Sequence, residues 1–176
     1  MNDTNEEEFK MIIRKETVSD IEAISEVTIA AFQNIAISNH TEQFIINALR
    51  NANAMTISLV AEVDGQVVGH IAFSPVTISD GIPNWFGLGP VSVLPKYQKQ
   101  GIGKSFILKW LFLLKDIGGQ GCALVGDPNY YKRFGFNNIS DLIYEGIPQE
   151  FFLALPFDKI IPQGTVMFHE GFLAKG

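Results

Sequence analysis

Residues 97–105, YQKQGIGKS, join a hydrophobic segment with the pattern of a strand to a hydrophobic segment with the pattern of a helix. Gly101 and Gly103 have no Cβ, so the backbone can turn there and bring successive N–H groups together. The N-terminus of the following helix adds roughly half a unit of positive charge. Such a loop binds phosphate groups. The stretch therefore predicts a pyrophosphate-binding site between the strand and the helix.

Two other phosphate-binding motifs do not match this stretch, because each requires a glycine that the chain lacks. The P-loop pattern G-x-x-x-x-G-K-[ST] requires glycine at position 98, where the chain has Gln98. The dinucleotide pattern G-x-G-x-x-G requires glycine at position 106, which is Phe106, and it normally follows the first strand of a βαβ unit. The remaining pattern is Q-x-x-G-x-G, with Gln98, Gly101 and Gly103 at its fixed positions.

The composition indicates one globular domain. The chain has 176 residues, of which 47% are hydrophobic, which suffices for one sizeable core and is too short to argue for two domains. A formal net charge of -6 argues against a broad nucleic-acid surface, because affinity for a phosphate backbone comes from clustered Lys and Arg. The single cysteine, Cys122, excludes an intramolecular disulfide framework and fits a reducing cytoplasm.

The N-terminal residues 1–10, MNDTNEEEFK, are acidic and polar. They lack the basic start and apolar stretch of a secretory signal, and no later segment reaches the roughly 18 apolar residues that spanning a membrane requires. We expect a flexible acidic tail over residues 1–10 and a single domain over residues 11–176. We also expect a cytoplasmic location and no membrane partner.

Hydrophobic periodicity predicts the order of helices and strands. The Asp64-Gly65 pair between two alternating segments indicates a hairpin, and a Gly-Pro pair within a later strand indicates a bulge or an interrupted edge. Strands are predicted at residues 11–15, 57–63, 66–78, 84–94, 121–125, 151–155 and 165–168. Two helices are predicted after a capping-box pattern at 19–22 and after a start signal at 39–42, a third has an apolar stripe over residues 106–114 and stops at Gly118-Gly119, and a fourth covers residues 128–134. This order, β-α-α-β-β-β-α-β-α-β-β, predicts an α+β fold with one mixed central sheet flanked by helices.

The element order and three motifs resemble the GNAT superfamily of acetyl-CoA-dependent N-acetyltransferases. The motifs are LGPVSVLPKY at residues 88–97, QKQGIGK at residues 98–104 and YYKRFGF at residues 130–136. Within the superfamily, LVGDPNYYKRFGF, FFLALPF and GTVMFHEGF are similar to the bacterial group of predicted acetyltransferases called YhbS-like. The resemblance covers residues 11–172 and implies the acyl-CoA N-acyltransferase-like fold of the superfamily.

The resemblance implies acetyl-CoA as the acyl donor and no metal. In the families that the chain resembles, acetyl-CoA lies where two parallel strands separate, here the strand that ends at Val93 and the strand of residues 121–125. The pantetheine arm would pair with backbone groups of Val91, Ser92 and Val93. The pyrophosphate would be held by the loop that contains Gln98, Lys99, Gln100, Gly101, Ile102, Gly103 and Lys104.

The resemblance also implies two catalytic groups. Acyl transfer from a thioester to an amine passes through a tetrahedral oxyanion, which the backbone amide of Val93 would stabilise. Tyr131 matches the tyrosine of the family pattern Y-x-x-x-G-F and would give a proton to the departing thiolate. A packing role is the alternative for Tyr131, and Tyr130 is expected to be an aromatic wall.

The sequence offers several candidates for the general base and for the acceptor site and does not choose among them. Residues 84–93 contain no Asp or Glu, although some relatives use a glutamate there, and a water chain, His70 or Glu62 could serve instead. Leu124 stands where many members of the superfamily have an asparagine that contacts the cofactor. The acceptor pocket, or alternatively the core, could contain Phe32, Asn34, His40, Trp85 and Phe86.

Three functions follow from these observations. The first is transfer of an acetyl group from acetyl-CoA to a primary amine of a small molecule, by direct attack in a ternary complex. The acidic balance of the chain mildly favours a cationic acceptor. The second is an acyl-CoA-binding sensor or regulatory domain without turnover, and the third is acetylation of a protein N-terminus or lysine. A homodimer is also left open.

Overall fold

Eight strands and four α-helices make up the described part of the chain, residues 10–176 of the computed structural model. The strands are β1 (Met11–Lys15), β2 (Ile57–Val63), β3 (Gln66–Ile78), β4 (Trp85–Val93), β5 (Gly121–Val125), β6 (Leu142–Ile143), β7 (Phe152–Pro156) and β8 (Gly164–Met167). The helices are α1 (Ile21–Phe32), α2 (Glu42–Asn51), α3 (Ile102–Asp116) and α4 (Pro128–Tyr131). The predicted tail, residues 1–10, lies outside the described residues apart from Lys10.

Six strands form one mixed sheet in the order β1-β2-β3-β4-β5-β7. β4 and β5 are parallel, and the other neighbours in this order are antiparallel. β8 pairs with the end of β3, and β6 pairs with β8. The predicted order of strands and α-helices lacks β6, because a strand of two residues is too short to show an alternating pattern. The predicted α+β class with a mixed central sheet is confirmed.

The β2–β3 hairpin forms where the Asp64-Gly65 pair predicted it. Both residues have a positive φ, 48° and 80° respectively, as a two-residue type I′ turn requires. The pairing begins with Val63 opposite Gln66 and ends with Ile57 opposite Phe73. This register places alternate side chains of β2 on opposite faces of the sheet.

Both faces of the sheet are covered. On one face, α3 packs the buried side chains of Phe106, Trp110 and Leu114, and the ring centroids of Trp110 and Phe73 lie 4.7 Å apart. On the other face, α1 and α2 cover one end of the sheet, and the segment that contains β6 and β8 covers the other end. The apolar stripe predicted for α3 is therefore its contact with the sheet.

The chain enters α1 through a 3-10 turn at Val18–Asp20. The buried Asp20 carboxylate accepts the backbone N–H of Thr17 at 2.7 Å and side-chain hydrogen bonds from Arg14 at 2.7 and 2.9 Å. The hydrogen bonds from Arg14 hold the pKa of Asp20 well below its ordinary value. The capping interaction therefore joins Thr17 and Asp20, which corrects the prediction of a capping box at residues 19–22.

A buried polar network joins the end of β1 to α2, β2 and β3. Arg50 donates to the Glu16 carboxylate at 2.8 Å, Ser58 also donates to Glu16, and the buried imidazole of His70 lies 2.8 Å from Ser58 Oγ. Burial acts to raise the pKa of Glu16, but the hydrogen bonds from His70, Arg50 and Ser58 outweigh it and lower the pKa to about 2. Burial lowers the pKa of His70, so its imidazole is neutral at neutral pH.

Candidate active site

β4 and β5 separate soon after they begin to pair. Their parallel pairing starts with Trp85 opposite Gly121 and ends with Gly87 opposite Ala123. Beyond Gly87, the edge of β4 that faces β5 has no strand partner in the described part of the chain. A gap lined by backbone groups therefore opens between the two strands, at the place where the sequence predicts acetyl-CoA.

A β-bulge accompanies this separation. Gly89 and Pro90 of β4 together oppose the single residue Ala72 of β3. Gly89 has a φ of 133°, which favours glycine because a Cβ would be strained there. A bulge bends its strand and increases the local twist. The bulge predicted from the Gly-Pro pair is confirmed, and it lies where β4 leaves β5.

The gap receives backbone groups from alternate residues of β4. Leu94 donates its backbone N–H to Val68 of β3 at 2.8 Å. Alternate residues of an antiparallel strand direct their backbone groups to opposite sides, so Val91 and Val93 direct theirs into the gap. Ser92 directs its own toward β3. Of the three residues predicted to pair with a pantetheine arm, Val91 and Val93 have the required orientation and Ser92 does not.

The glycine loop leads directly into α3. Gly101 is left-handed, with a φ of 86°, and α3 begins at the next residue. The first helical bond runs from the Ser105 N–H to the Gly101 carbonyl at 3.0 Å. The N–H groups of Ile102, Gly103 and Lys104 precede this bond and have no partner within the helix. They form the electropositive N-terminus that the sequence predicts for phosphate binding.

Two glutamines hold the loop against the end of β4. The Gln98 side chain donates to the Val93 carbonyl at 3.0 Å, and the Gln100 side chain donates to the Lys96 carbonyl at 2.9 Å. Lys99, between them, has a positive φ of 60° and an exposed side chain. The side chains of Gln98 and Gln100 therefore fix the loop, and the groups predicted to bind phosphate that stay without these contacts are the side chains of Lys99 and Lys104 and the backbone N–H groups at the start of α3.

A cavity of about 230 Å³ lies between the loop and the open edge of β4. Val93, Lys99, Gly103 and Tyr130 contribute to its wall. The Tyr130 hydroxyl occupies the space that a Cβ on Gly103 would need, so the glycine permits this close approach. The cavity therefore joins Val93, one of the residues predicted for the pantetheine arm, to four of the residues predicted for the pyrophosphate: Gln98, Lys99, Ile102 and Gly103.

Tyr131 is held on the short helix α4, which follows β5. The Asp127 side chain accepts the backbone N–H of Asn129 at 2.9 Å and so caps this helix. The Tyr131 ring packs edge-on against Tyr130, with centroids 4.9 Å apart, and against Phe136 at 5.9 Å. Both predicted roles of the tyrosine, chemistry and packing, are compatible with this position.

The Tyr131 hydroxyl has no hydrogen-bond partner among residues 10–176. Its ring fills the space beside Gly126, the first residue after β5. Burial, with smaller contributions from Tyr130 and Cys122, raises the pKa of Tyr131 well above its ordinary value. The side chain is therefore a neutral phenol with a free O–H, located where β5 ends.

The structure adds Arg133 to the residues near the loop. Its guanidinium lies 4.5 Å from the centroid of the Tyr130 ring, and its Nε donates to the Tyr130 carbonyl at 2.9 Å. Arg133 and Lys104 both line a cavity of about 430 Å³ beside the start of α3. The sequence signal that could have found it is the Lys132-Arg133 pair, a local positive charge in an acidic chain.

The residues considered for the acceptor pocket, and Leu124, divide between the core, a cavity beside α1 and the surface. Trp85 and Phe86 are buried in the core, with 1% and 8% of their surface exposed, so the core alternative is correct for both. Phe32 and His40 line a cavity of about 360 Å³ between α1 and α2, and Asn34 is exposed outside its lining. Leu124 is fully buried.

The two candidate bases on the hairpin, Glu62 and His70, have hydrogen-bond partners within the fold. Glu62 accepts a hydrogen bond from Arg14 at 2.9 Å, and His70 is fully buried beside Ser58. Within residues 10–176, no three His, Cys, Asp or Glu side chains come together as a metal site. No helix in that range is long and apolar enough to cross a membrane.

Comparisons with known proteins agree with this geometry. The family model described as Acetyltransferase (GNAT) domain matches residues 55–138. The chain is 35% identical over 127 residues to the uncharacterized N-acetyltransferase YhbS of Escherichia coli K12, covering 72% of this chain and 73% of that protein.

Two solved structures are similar over nearly the whole chain. One is a GNAT family acetyltransferase from Brucella melitensis in complex with acetyl-CoA, with 48% identity, a TM-score of 0.83 and coverage of 93% of this chain and 99% of that chain. The other is YhbS from Escherichia coli in complex with CoA, with 29% identity, a TM-score of 0.87 and coverage of 96% and 94%. The fold and these matches define an acetyltransferase. The chain belongs to the GNAT family of N-acetyltransferases, as the resemblance predicted.

Proposed function

We propose that this chain transfers an acetyl group from acetyl-CoA to a primary amine of a small molecule, by direct attack in a ternary complex. The observation that carries the proposal is the gap between β4 and β5. Backbone groups of Val91 and Val93 face into it, and the N-terminus of α3 lies at its mouth. Relatives of similar fold have been crystallised with acetyl-CoA and with CoA.

The gap and the loop suit the two halves of the donor. Val91 and Val93 offer backbone groups on an open strand edge, with which the amides of a pantetheine arm can pair as an added strand. The free N–H groups at the start of α3 can hold a pyrophosphate, because they converge and carry partial positive charge. Lys99, Lys104 and Arg133 add positive side chains around this position.

At the carbonyl carbon of the thioester, the proposed reaction forms a C–N bond and breaks the C–S bond. The amine nitrogen, after losing its proton, attacks the carbonyl carbon of the thioester. The Val93 N–H faces the gap and stabilises the negative charge that develops on the carbonyl oxygen. The nitrogen gives up one proton to water as the C–S bond breaks, which leaves a neutral amide and a thiolate that takes up a proton.

Tyr131 is the donor that we propose for this proton. Its free hydroxyl and raised pKa keep it protonated at neutral pH, so it can donate to the leaving sulfur. We also place the reaction in the cytoplasm, which fits the single, fully buried thiol of Cys122.

Release of free CoA thiol in the presence of a panel of primary amines tests this function. We expect thiol release that depends on both acetyl-CoA and an amine. Saturable acetyl-CoA binding without thiol release for any amine would instead favour a sensor, a role also suggested by Leu124 and by the absence of a carboxylate on β4. Release with peptides alone would favour a protein acceptor.

A further inference from the structure

The cavity of about 430 Å³ beside the start of α3 extends to the turn that follows α4. Leu108, Leu111 and Phe134 contribute apolar side chains to its wall, and Lys104 and Arg133 contribute positive charge. No Asp or Glu is among the described residues that line it. Its volume is in the range of pockets that hold small molecules. The cavity therefore suits a ligand that combines an apolar or aromatic part with an anion.

Arg133 is held in place with its two terminal nitrogens unused. Its Nε donates to the Tyr130 carbonyl at 2.9 Å, and its guanidinium lies 4.5 Å from the centroid of the Tyr130 ring and 5.6 Å from that of Phe134. Neither Arg133 nor Lys104 forms an ion pair with any of residues 10–176. A guanidinium held through Nε presents its terminal nitrogens as a fork that matches the geometry of a phosphate. The two uncompensated cations mark this cavity as a site for an anion.

The cavity adjoins the place predicted for the pyrophosphate. Gly103 lines the cavity of about 230 Å³ beside the open edge of β4, and the next residue, Lys104, lines the cavity of about 430 Å³. Tyr130 lies between the two cavities, because its hydroxyl lies against Gly103 and its ring carries the Arg133 guanidinium. A ligand with one phosphate at the N-terminus of α3 can therefore place a second anionic group at Lys104 and Arg133.

The chemistry of CoA supplies such a group. Beyond its pyrophosphate, CoA carries a ribose with adenine and a 3′-phosphate. A phosphate monoester has between one and two negative charges at neutral pH and forms strong hydrogen bonds with Arg and Lys. A purine stacks on aromatic side chains, and Phe134 offers a ring in the same cavity.

Three other cavities lack this combination. The cavity between α1 and α2 and the cavity of about 420 Å³ beside β8 have no Lys or Arg among the described residues that line them. The cavity beside β8 also has two carboxylates in its wall, those of Glu145 and Glu170. A cavity of about 210 Å³ near the end of α3 has Asp116 beside Lys15 in its wall. Charge complementarity thus favours a phosphate monoester at Lys104 and Arg133.

We propose that the cavity binds the 3′-phosphorylated adenosine of the acyl donor, with the 3′-phosphate between Arg133 and Lys104 and the adenine against Phe134. This inference rests on the proposed function, in which acetyl-CoA is the donor, and it assigns to these side chains the choice of donor. A thioester that lacks the 3′-phosphate can still place its pantetheine arm in the gap and its pyrophosphate at α3. It loses the contact with Arg133 and Lys104, so the protein selects acetyl-CoA over acetyl-dephospho-CoA.

Acetyl-CoA and acetyl-dephospho-CoA are a matched pair of probes, because they differ only in the 3′-phosphate. We expect the protein to bind acetyl-CoA at least about tenfold more tightly than acetyl-dephospho-CoA in titration calorimetry. The Lys104→Gln/Arg133→Gln variant should reduce this ratio to below about threefold. Arg133→Lys keeps the charge and loses the fork, so its ratio should lie between those of the parent and the double variant. The ratio cancels any effect of a variant on the shared pantetheine arm and pyrophosphate.

The double variant Lys109→Gln/Lys132→Gln is the control. It removes the same charge from α3 and from the turn after α4, at exposed residues that are not in the cavity wall, and should keep the ratio of the parent protein. Equal binding of the two probes, binding of neither, or a ratio that survives Lys104→Gln/Arg133→Gln would overturn the inference. An equal loss of the ratio in the control variant would overturn it as well.

Thiol release from acetyl-CoA with a panel of primary amines is measured in parallel. Release of thiol without a preference for acetyl-CoA over acetyl-dephospho-CoA contradicts the 3′-phosphate site alone. A preference in binding without release of thiol for any amine contradicts the proposed transfer alone.

Discussion

Tyr130 and Tyr131 are adjacent in sequence, yet the fold gives their hydroxyls different surroundings. The Tyr130 hydroxyl lies against Gly103 at the start of α3. The Tyr131 hydroxyl has no hydrogen-bond partner among residues 10–176, and burial raises the pKa of Tyr131. Successive residues of a helix point about 100° apart, which accounts for the separation. The pair therefore allows chemistry and cofactor contact to be tested independently.

Replacing Tyr131 with Phe removes the hydroxyl and keeps the packing of the ring. If the hydroxyl protonates the leaving thiolate, turnover should fall roughly ten- to a thousandfold, about 1.4 to 4 kcal/mol in the transition state. Acetyl-CoA affinity should change little. Steady-state thiol release with saturating acetyl-CoA measures the effect. Tyr130→Phe should lower turnover by less than about threefold, and equal turnover of the Tyr131 variant and the parent would return Tyr131 to a packing role.

Replacing Gly101 with Ala tests the loop. A left-handed φ of 86° is strained for a residue with a Cβ. The turn that presents the N–H groups of α3 should distort, and the dissociation constant for acetyl-CoA should rise at least about tenfold, about 1.4 kcal/mol. Calorimetric titration with acetyl-CoA measures this change.

Gly118→Ala is a matched control for that variant. Gly118 follows the other end of α3, has a φ of 84°, and a Cβ there would meet no atom within 4 Å, as at Gly101. It should lower the free energy of unfolding by a similar amount and leave acetyl-CoA affinity unchanged. Equal acetyl-CoA affinity in the Gly101 variant and the parent would rule out the phosphate-binding role of the loop.

The parallel strands β4 and β5 stop pairing after Gly87, so the edge of β4 beyond Gly87 is open within the described residues. Backbone groups of Val91 and Val93 face the gap, whereas those of Ser92 and Leu94 face β3. Cofactor binding by strand addition should therefore protect amides in an alternating pattern. A ligand held only by side chains would not produce this pattern.

Residue-resolved hydrogen exchange tests the alternation. The amides of Val91 and Val93 should exchange at least about tenfold more slowly after acetyl-CoA is added, because bound amides must break a hydrogen bond before they exchange. Those of Ser92 and Leu94 are bonded to β3 already and should change much less. Uniform protection of the four amides, or none, would argue against pairing of the cofactor with this edge.

The elements that the sequence predicts well are those set by local chemistry. Asp64-Gly65 predicts the turn because a type I′ turn needs positive φ at both residues, which Asp and Gly adopt more easily than most. Gly89-Pro90 predicts the bulge because Pro cannot donate a backbone hydrogen bond and is found in central strands only at bulges. Gly101 marks the start of α3 for the same backbone reason. These features depend on a few neighbouring residues, so a single sequence is enough to find them.

What the sequence cannot predict depends on contacts between distant segments. Whether Ser92 faces β3 or the gap is decided by its register with β3, which a one-residue shift would reverse. The Asp20 carboxylate, which accepts the Thr17 N–H in the turn before α1, also accepts hydrogen bonds from Arg14 of β1. The ring contact between Tyr144 and Phe168 joins two segments that no local sequence pattern connects. The fold places Arg133 at the same cavity as Lys104, although the two residues are far apart in sequence.

At the scale of the whole molecule, the buried network around Glu16 links the first strand to α2 and the hairpin. The pKa of Glu16 is lowered to about 2 from an ordinary 4.5, and burial also lowers the pKa of His70 from 6.5. A group with a lowered pKa in the folded state stabilises the fold above its unfolded pKa and loses that contribution as the pH falls. Stability should therefore decline from about pH 6.5, through His70, and more steeply below pH 4.5, through Glu16.

The variant Glu16→Gln tests this link. It leaves Arg50 with a neutral partner, and we expect the free energy of unfolding at pH 7 to fall by about 3 kcal/mol. The difference from the parent protein should shrink as the pH approaches 2, because Glu16 is then protonated in the parent as well. Urea unfolding at a series of pH values measures both effects. Glu22→Gln, on the exposed side of α1, should show neither, and a difference independent of pH would contradict the account.

In the proposed reaction, an acetyl group moves from acetyl-CoA to an amine at the gap between β4 and β5. The most direct measurement is to incubate the protein with acetyl-CoA and a panel of primary amines, and to quantify free CoA thiol and N-acetylated amine by mass spectrometry in the same samples. We predict thiol and acetylated amine in equal amounts, formed only when protein, donor and amine are all present, and both formed roughly ten- to a thousandfold more slowly by the Tyr131→Phe variant. Saturable binding of acetyl-CoA with neither product above the protein-free background, for every amine of the panel, would contradict the claim.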